Sequence, residues 1–367
     1  MQLLQLQHLG QTLRLEASPA GWQQLYWGDQ IVSQVTANAN HKGLLCHHFQ
    51  LQQTVQDSDA STEVINYRLD IDLSWQPFSL KYQLVVNDEV VLSGQRDSKD
   101  IEQQPPVSVD DTSKKISVVG MVSLALKLFK SAKMIKVILA GASLAAYSWF
   151  FSFQFALALL ACLVFHEYGH IRAMKYFSMP TKGIYLIPFV GGLAVSDSKI
   201  NTRWQDVVIS IMGPTFGLIL SCVCVVVYWL TDSPFFAGLA VFNALLNLFN
   251  LLPILPLDGG HILKSISFSM HSKVGVFACA VGAGLGIYIS YSLGLTLLGF
   301  LLAIGCLEIV FEWRSRWQTN LLPLDNYGQV VSTLWYLLTV GGLIAIIFYF
   351  ANDNDPILSL PLQILGS

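Results

Sequence analysis

The residues with the clearest capacity for chemistry are Phe165-His166-Glu167-Tyr168-Gly169-His170, a His-Glu-x-x-His cluster inside a strongly apolar run. On a helix the two histidines stand at i and i+4, about 400° of turn apart, so both rings leave the same face. Two neutral imidazoles in that arrangement can hold a divalent metal, most often zinc. Glu167 then sits beside a water on that metal, where it can take the water's proton. The plain alternative is two helix histidines satisfied by core hydrogen bonds. The segment from Phe153 to Ala173 reads as a membrane helix, however. Titratable groups at that depth are costly unless they work or are paired, which favours the chemical reading.

A catalytic zinc takes three protein ligands and keeps a position for water. The acid best placed to be the third is Asp258, in Asn250-Leu-Leu-Pro253-Ile-Leu-Pro256-Leu-Asp258-Gly259-Gly260-His261. Proline and glycine there free the backbone from helix, and irregular backbone at membrane depth is tolerated where protein or a water-filled cavity surrounds it. The competing account is an Asp-Gly-Gly turn that only caps the following helix. Convergence of three ligand-type residues at one depth favours ligation by His166, His170 and Asp258.

The elements that must position these groups follow from composition. The chain has 367 residues, 53% hydrophobic and 12% charged, with a mean hydropathy of +0.52. That is too apolar for a soluble globular protein of this size. The net charge of −3 gives no sign of a nucleic-acid partner. The apolar excess begins only after about residue 115. The expected fold is therefore a polytopic α-helical membrane protein with about seven transmembrane helices, preceded by a small N-terminal β-rich soluble domain. Cys46 lies in the polar part, while Cys162, Cys222, Cys224, Cys279 and Cys306 fall in apolar runs without a paired framework, so disulfides are not expected.

Residues 1–96 read as the β-rich domain. Leu80 to Val86 and Glu89 to Ser93 flank Asn87-Asp88, a two-residue hairpin turn, and Val64 to Leu73 alternates in part as a half-buried strand does. Cys46-His47-His48 is no metal site on this reading, because neighbours on a strand point to opposite faces. The domain reads as a binding or regulatory module of unknown partner. Residues 97–115, with Pro105-Pro106, read as a linker, and 116–131 as a helix lying at the membrane surface. Spans are expected at roughly 134–151, 153–174, 205–230, 235–252, 274–291, 294–311 and 330–350, each near the ~20 residues a bilayer core needs. Together they make a transmembrane domain at 132–351 with its core at about 150–265, followed by a short non-cytoplasmic tail at 352–367.

Basic residues give the orientation. With the N-terminus inside, cytoplasmic stretches carry Lys130, Lys133, Arg172, Lys175, Lys182, Lys199, Arg203, Lys264, Lys273, Arg314 and Arg316, and the opposite stretches carry no Lys or Arg. That asymmetry predicts an N-terminus in the cytoplasm and a C-terminus outside, and it sets His166 and His170 near the cytoplasmic face. Met1 to Leu15 has no basic stretch leading into an apolar core, so it does not read as a signal peptide. Glu308, near Glu312, Arg314 and Arg316, reads as an interfacial ion-pairing acid rather than a proton carrier.

His166-Glu167-Tyr168-Gly169-His170, Gly213-Pro214 and Asn250-x-x-Pro253-x-x-x-Leu257-Asp258-Gly259 together resemble the motif set of the site-2 proteases, the intramembrane zinc metalloproteases. The resemblance covers about residues 150–265. It implies Zn2+ held by His166, His170 and Asp258, and Glu167 as general base. It also implies that Asn250 steadies the substrate or oxyanion, with Asn247, a turn earlier, as the weaker candidate. Pro188-Phe189-Val190-Gly191-Gly192 resembles the family's membrane-dipping hairpin, whose edge could pair with an unwound substrate helix. The plain reading of that stretch is a surface hairpin. No inserted PDZ-like domain and no C-terminal CBS-type pair is recognisable, and three expected spans follow the core.

The expected activity is that of an intramembrane zinc endopeptidase in a bacterial inner (plasma) membrane, in contact with membrane lipid, cutting transmembrane segments of other membrane proteins. One rival is a non-catalytic metal-binding membrane receptor or transporter, which would need the ligands but not Glu167. Another is a zinc hydrolase acting on a lipid or prenylated peptide.

Overall fold

The computed structural model describes residues 1–36, 44–54, 62–104, 132–150, 152–187, 191–196, 200–253, 257–270 and 321–351, with scattered positions between 284 and 307. The chain divides into two compact units. One contains Met1–Val107, Ile200–Trp204 and Glu312–Gln329, and the other contains the rest.

The first unit is built on eight antiparallel strands: β1 (Gln2–His8), β2 (Gln11–Ala17), β3 (Gln23–Trp27), β4 (Gln30–Val35), β5 (Leu44–Thr54), β6 (Thr62–Trp75), β7 (Phe78–Val86) and β8 (Glu89–Asp97). They form two four-stranded meanders, β1-β2-β3-β4 and β5-β6-β7-β8. Alternation decides which face is inside. Leu13, Leu15 and Ala17 of β2 and Leu80 and Leu84 of β7 are buried, and all belong to one core with Leu25, Phe49, Tyr67, Leu69 and Ile71. The turn expected at Asn87-Asp88 joins β7 to β8, with φ of 48° and 68° at those two residues. Positive φ at both central positions is the twist-matched hairpin geometry that Asn and Asp tolerate.

One stretch expected as linker is ordered. Helix α1 (Ser98–Glu102) is closed by a capping box in which Asp97 accepts from the Lys99 and Asp100 backbone and Asp100 returns a bond to Asp97. The reason is local capping joined to burial, since Ile101 enters the β core. The same unit takes in two segments from much later in the chain. Thr202 and Leu322 form a parallel bridge, Leu322 is part of the core, and the Asn201 side-chain amide donates to the Ile101 and Gln104 carbonyls.

The second unit contains α2 (Ala132–Phe150), α3 (Phe153–Tyr176), the two-stranded hairpin β9 (Thr181–Ile187) and β10 (Gly191–Ser196), α4 (Arg203–Thr231, whose first two residues belong to the first unit), α5 (Pro234–Asn250), α6 (Asp258–Ser269) and α7 (Asn326–Ala351, whose first four residues belong to the first unit). Helices α3, α4 and α7 are long and apolar enough to cross a membrane, and Ile135–Trp149 and Pro234–Asn250 are shorter apolar helices. These correspond to five of the expected spans. The expected spans at 274–291 and 294–311 fall largely outside the described residues. The surface helix at 116–131, the tail at 352–367, Glu308 and Pro188 to Val190 fall wholly outside them.

Leu160 and Leu163 of α3 pack with Leu186 of β9 and Leu144 and Tyr147 of α2, which seats the hairpin beside the helix that carries the two histidines. Helix α7 reaches the same region. The Tyr336 hydroxyl donates to the Leu251 carbonyl at 2.7 Å, and the Trp335 indole donates to Thr215 Oγ1 at 3.0 Å.

Candidate metal centre

Helix α3 presents His166, Glu167 and His170 inward, and all three are buried. The rings meet as the i, i+4 spacing requires, with Nε2 of His166 3.0 Å from Nε2 of His170. Asp258, the first residue of α6, brings its carboxylate to the same point. Its Oδ2 lies 3.4 Å from His166 Nε2 and 3.5 Å from His170 Nε2. A side chain on Gly259 would overlap the Leu251 carbonyl oxygen, so the glycine lets the start of α6 lie against the chain leaving α5 and sets where Asp258 points.

The outward nitrogens identify the state of the inward ones. His166 Nδ1 lies 2.7 Å from Asn247 Oδ1, and His170 Nδ1 lies 2.7 Å from the Ile209 carbonyl oxygen. A backbone carbonyl only accepts, so the His170 proton is on Nδ1 and its Nε2 carries a lone pair. With Nδ1 protonated on His166 as well, two lone pairs and a carboxylate converge on one point. Such a cluster repels itself unless a metal ion, or a proton on one of the two Nε2 atoms, stands between the donors.

The spacing suits zinc. A tetrahedral ion with bonds of about 2.0–2.2 Å sets its ligand atoms about 3.3–3.5 Å apart, close to the 3.0, 3.4 and 3.5 Å seen here. The three ligand atoms all fall within 4.8 Å of one another, and no other such group of three occurs among the described residues. The space between them is kept by Gly213 of α4. A Cβ there would collide with His170 Nε2 and lie 2.8 Å from His166 Nε2.

Glu167 does not join the ligand triangle. Its Oε1 is 3.8 Å from His166 Nε2, and the backbone of Ala194 in β10 lies close to its carboxylate. The carboxylate is thus held beside the convergence point at about the reach of one intervening water. That is the placement a general base needs.

Asn250 and Asn247 part company. Asn250 closes α5 and is half-buried. Among the described residues no hydrogen bond joins its side chain to His166, His170 or Asp258. Asn247 is buried and bonded to the His166 ring.

A further group escaped the sequence reasoning. Asp206, in the first turn of α4, accepts from Ser265 Oγ at 2.6 Å and lies 3.3 Å from His261 Nδ1. The Asp206 bond holds the His261 imidazole above its ordinary range. These contacts tie α6 to α4 within two turns of Asp258. The available signal was an acid at the start of an apolar span, which is expensive without a partner.

Comparisons with known proteins agree with this geometry. Residues 154–234 and 229–283 match the model of Peptidase family M50. A protein of Synechocystis sp. named "Putative zinc metalloprotease" is 32% identical over 202 residues, which is 53% of this chain and 47% of that protein. A zinc metalloprotease of Methanocaldococcus jannaschii is 31% identical over 189 residues, 49% of this chain and 54% of that protein. Stage IV sporulation protein FB of Bacillus subtilis is 26% identical over 176 residues, 44% of this chain and 59% of that protein. The chain thus spans about half the length of the curated relatives it matches.

Proposed function

We propose, from the premise that residues 154–283 of this chain belong to Peptidase family M50, that the protein is an intramembrane zinc endopeptidase that cuts transmembrane segments of other membrane proteins. The observation that carries the reading is the His166-His170-Asp258 triangle with Glu167 held just outside it.

In this reading His166, His170 and Asp258 hold zinc. When bound, the ion supplies a Lewis acid for the scissile carbonyl and lowers the pKa of a water toward about 7. Glu167 takes the proton from the attacking water and returns it to the departing amine. The backbone of Ala194 lies close to that carboxylate. Asn250, at the end of α5, donates its side-chain amide to the developing oxyanion. A peptide bond must leave its helix before water can reach it, and the edge of the β9–β10 hairpin offers the unwound segment a strand to pair with. Gly191 and Gly192, at the start of β10, belong to that hairpin.

Around this centre we place seven spans, with the N-terminus and the β unit in the cytoplasm and the C-terminus outside. The basic-residue asymmetry supports that arrangement. It puts the site close to the cytoplasmic face of a bacterial inner membrane. The β unit serves as a binding or regulatory module.

The test is Glu167→Gln in the full chain. Zinc content stays at the wild-type level, and cleavage falls by about 10²–10⁴-fold, the usual cost of losing a general base. Membrane proteomes of cells carrying the variant accumulate uncut single-span proteins. A variant that retains zinc with an unchanged set of cut proteins would overturn the protease reading in favour of a metal-binding receptor or transporter.

A further inference from the structure

The His166 ring is held by a directed chain of side-chain amides that the proposed function does not use. Asn243 donates both hydrogens of Nδ2, one to the Gly217 carbonyl at 2.9 Å and one to Ser221 Oγ at 2.7 Å. Its Oδ1 faces Asn247, whose Nδ2 donates to it at 3.1 Å and to the Asn243 backbone carbonyl at 2.8 Å. Asn247 Oδ1 is then turned to His166 Nδ1 at 2.7 Å.

The direction of the chain is fixed at its far end. The Gly217 carbonyl only accepts, so the Asn243 amide cannot be flipped without opposing two oxygens. Asn243 Oδ1 therefore accepts, and so does the Asn243 backbone carbonyl. Both hydrogens of Asn247 are spent on these oxygens, which leaves Asn247 only its own oxygen to offer His166. The ring must donate from Nδ1 and keep its Nε2 lone pair for a metal. Neutral amides do this without adding a further carboxylate beside Glu167 and Asp258, whose charge would be costly to take out of water.

The helices are shaped for this chain. Gly217 and Ser221 of α4 face Asn243 and Asn247 of α5, two pairs at i, i+4 spacing. A Cβ on Gly217 would overlap the Asn247 amide. Asn243, Asn247 and Ser221 are all buried, at 1%, 2% and 0% exposure, so water does not compete for their bonds.

We infer that Asn247 is a positioning residue for the metal centre, which fixes the tautomer and plane of His166, and that its orientation is set by Asn243 and the bare backbone of Gly217. The inference rests on the reading of His166, His170 and Asp258 as a zinc site. It separates the roles of two of the three asparagines of α5: Asn247 governs how tightly metal is held, whereas Asn250 is reserved for substrate.

The experiment measures zinc affinity of the purified full chain by competition with a chromophoric chelator, for wild type, Asn247→Leu, Asn247→Asp and Gly217→Ala. Loss of an outer partner of a metal-bound histidine costs about 10–100-fold in affinity. That drop is expected for Asn247→Leu and for Gly217→Ala, which displaces the amide. Asn247→Asp keeps an acceptor for the His166 ring but gives up the hydrogens donated to the Asn243 oxygens, and so regains part of the affinity. Equal weakening by Leu and Asp would reduce the role to packing and overturn the inference, as would wild-type affinity in Asn247→Leu. Wild-type protein that holds no stoichiometric zinc would sink the underlying site reading instead. A measurement that needs no variant is the histidine 15N spectrum of the zinc-loaded wild type. His166 is expected to carry its proton on Nδ1, and coordination through Nδ1 would overturn the inference.

Discussion

Three histidines are buried among the described residues, and the two units treat them in opposite ways. In the β unit, His47 lies with Nδ1 2.9 Å from Ser33 Oγ and Nε2 3.1 Å from Gln23 Oε1. Both nitrogens are used, each by a neutral side chain, and the ring has nothing left to give. In the helical unit, His166 and His170 spend only Nδ1 on neutral oxygens and turn Nε2 toward each other and toward Asp258. Burial is common to all three, so burial does not make a ligand. The difference is one unspent nitrogen per ring, and two unspent nitrogens aimed at one carboxylate make a site.

The largest effect should come from removing the carboxylate. Asp258→Ala leaves two imidazoles for an ion that needs three ligands, so zinc is lost and cleavage falls to background. Metal analysis of the purified variant, beside its cleavage products, checks this. Zinc retained at wild-type affinity would mean that the ligand set is drawn wrongly. Helix α6 should keep its place in the variant, because the Asp206 bonds to Ser265 and His261 are untouched.

The smallest effect should come from His47, and it should leave the metal alone. Burial, with the His48 charge adding to it, pushes the His47 imidazole from 6.5 down to about 4. Folding therefore favours the neutral ring. Its contribution to stability is complete above about pH 6.5 and is lost as pH falls from there toward about 4, because the unfolded chain then binds a proton the folded one refuses. Protection factors of the β5 amides, taken against the intrinsic exchange rate at each pH, should fall across that window. His47→Leu should remove this part of the pH dependence and cost about 1–3 kcal/mol, since Gln23 and Ser33 lose a buried partner. Zinc content and cleavage stay as in wild type. A change in either would break the contrast between the two units.

The legibility of the two units differs in a similar way. In the β unit, period-two alternation and Asn87-Asp88 were enough to place β6 to β8 and their turn, because those signals are local. Helix α1 was not legible, since its one buried apolar residue, Ile101, gains meaning only from a core built by distant strands. In the helical unit the His166-His170 pair could be read from spacing alone, and Asp258 from its depth. That Asn247 rather than Asn250 contacts the His166 ring could not. The two stand three positions apart on one helix, about 60° from a shared direction. Asn247 has room beside α4 because Gly217 there carries no side chain, a packing detail that spacing along α5 does not reveal. Asp206 was hidden for the same reason, since its partners His261 and Ser265 arrive from more than fifty residues away.

The account rests on zinc held by two imidazoles of α3 and the carboxylate that opens α6. X-ray absorption at the zinc edge, on the purified full chain, tests it most directly. The account predicts one zinc per chain, with two imidazole nitrogens at about 2.0–2.1 Å and the remaining neighbours oxygen at about 2.0–2.2 Å. A sulfur shell near 2.3 Å, the distance expected of a cysteine ligand, or a spectrum with fewer than two imidazoles would contradict it.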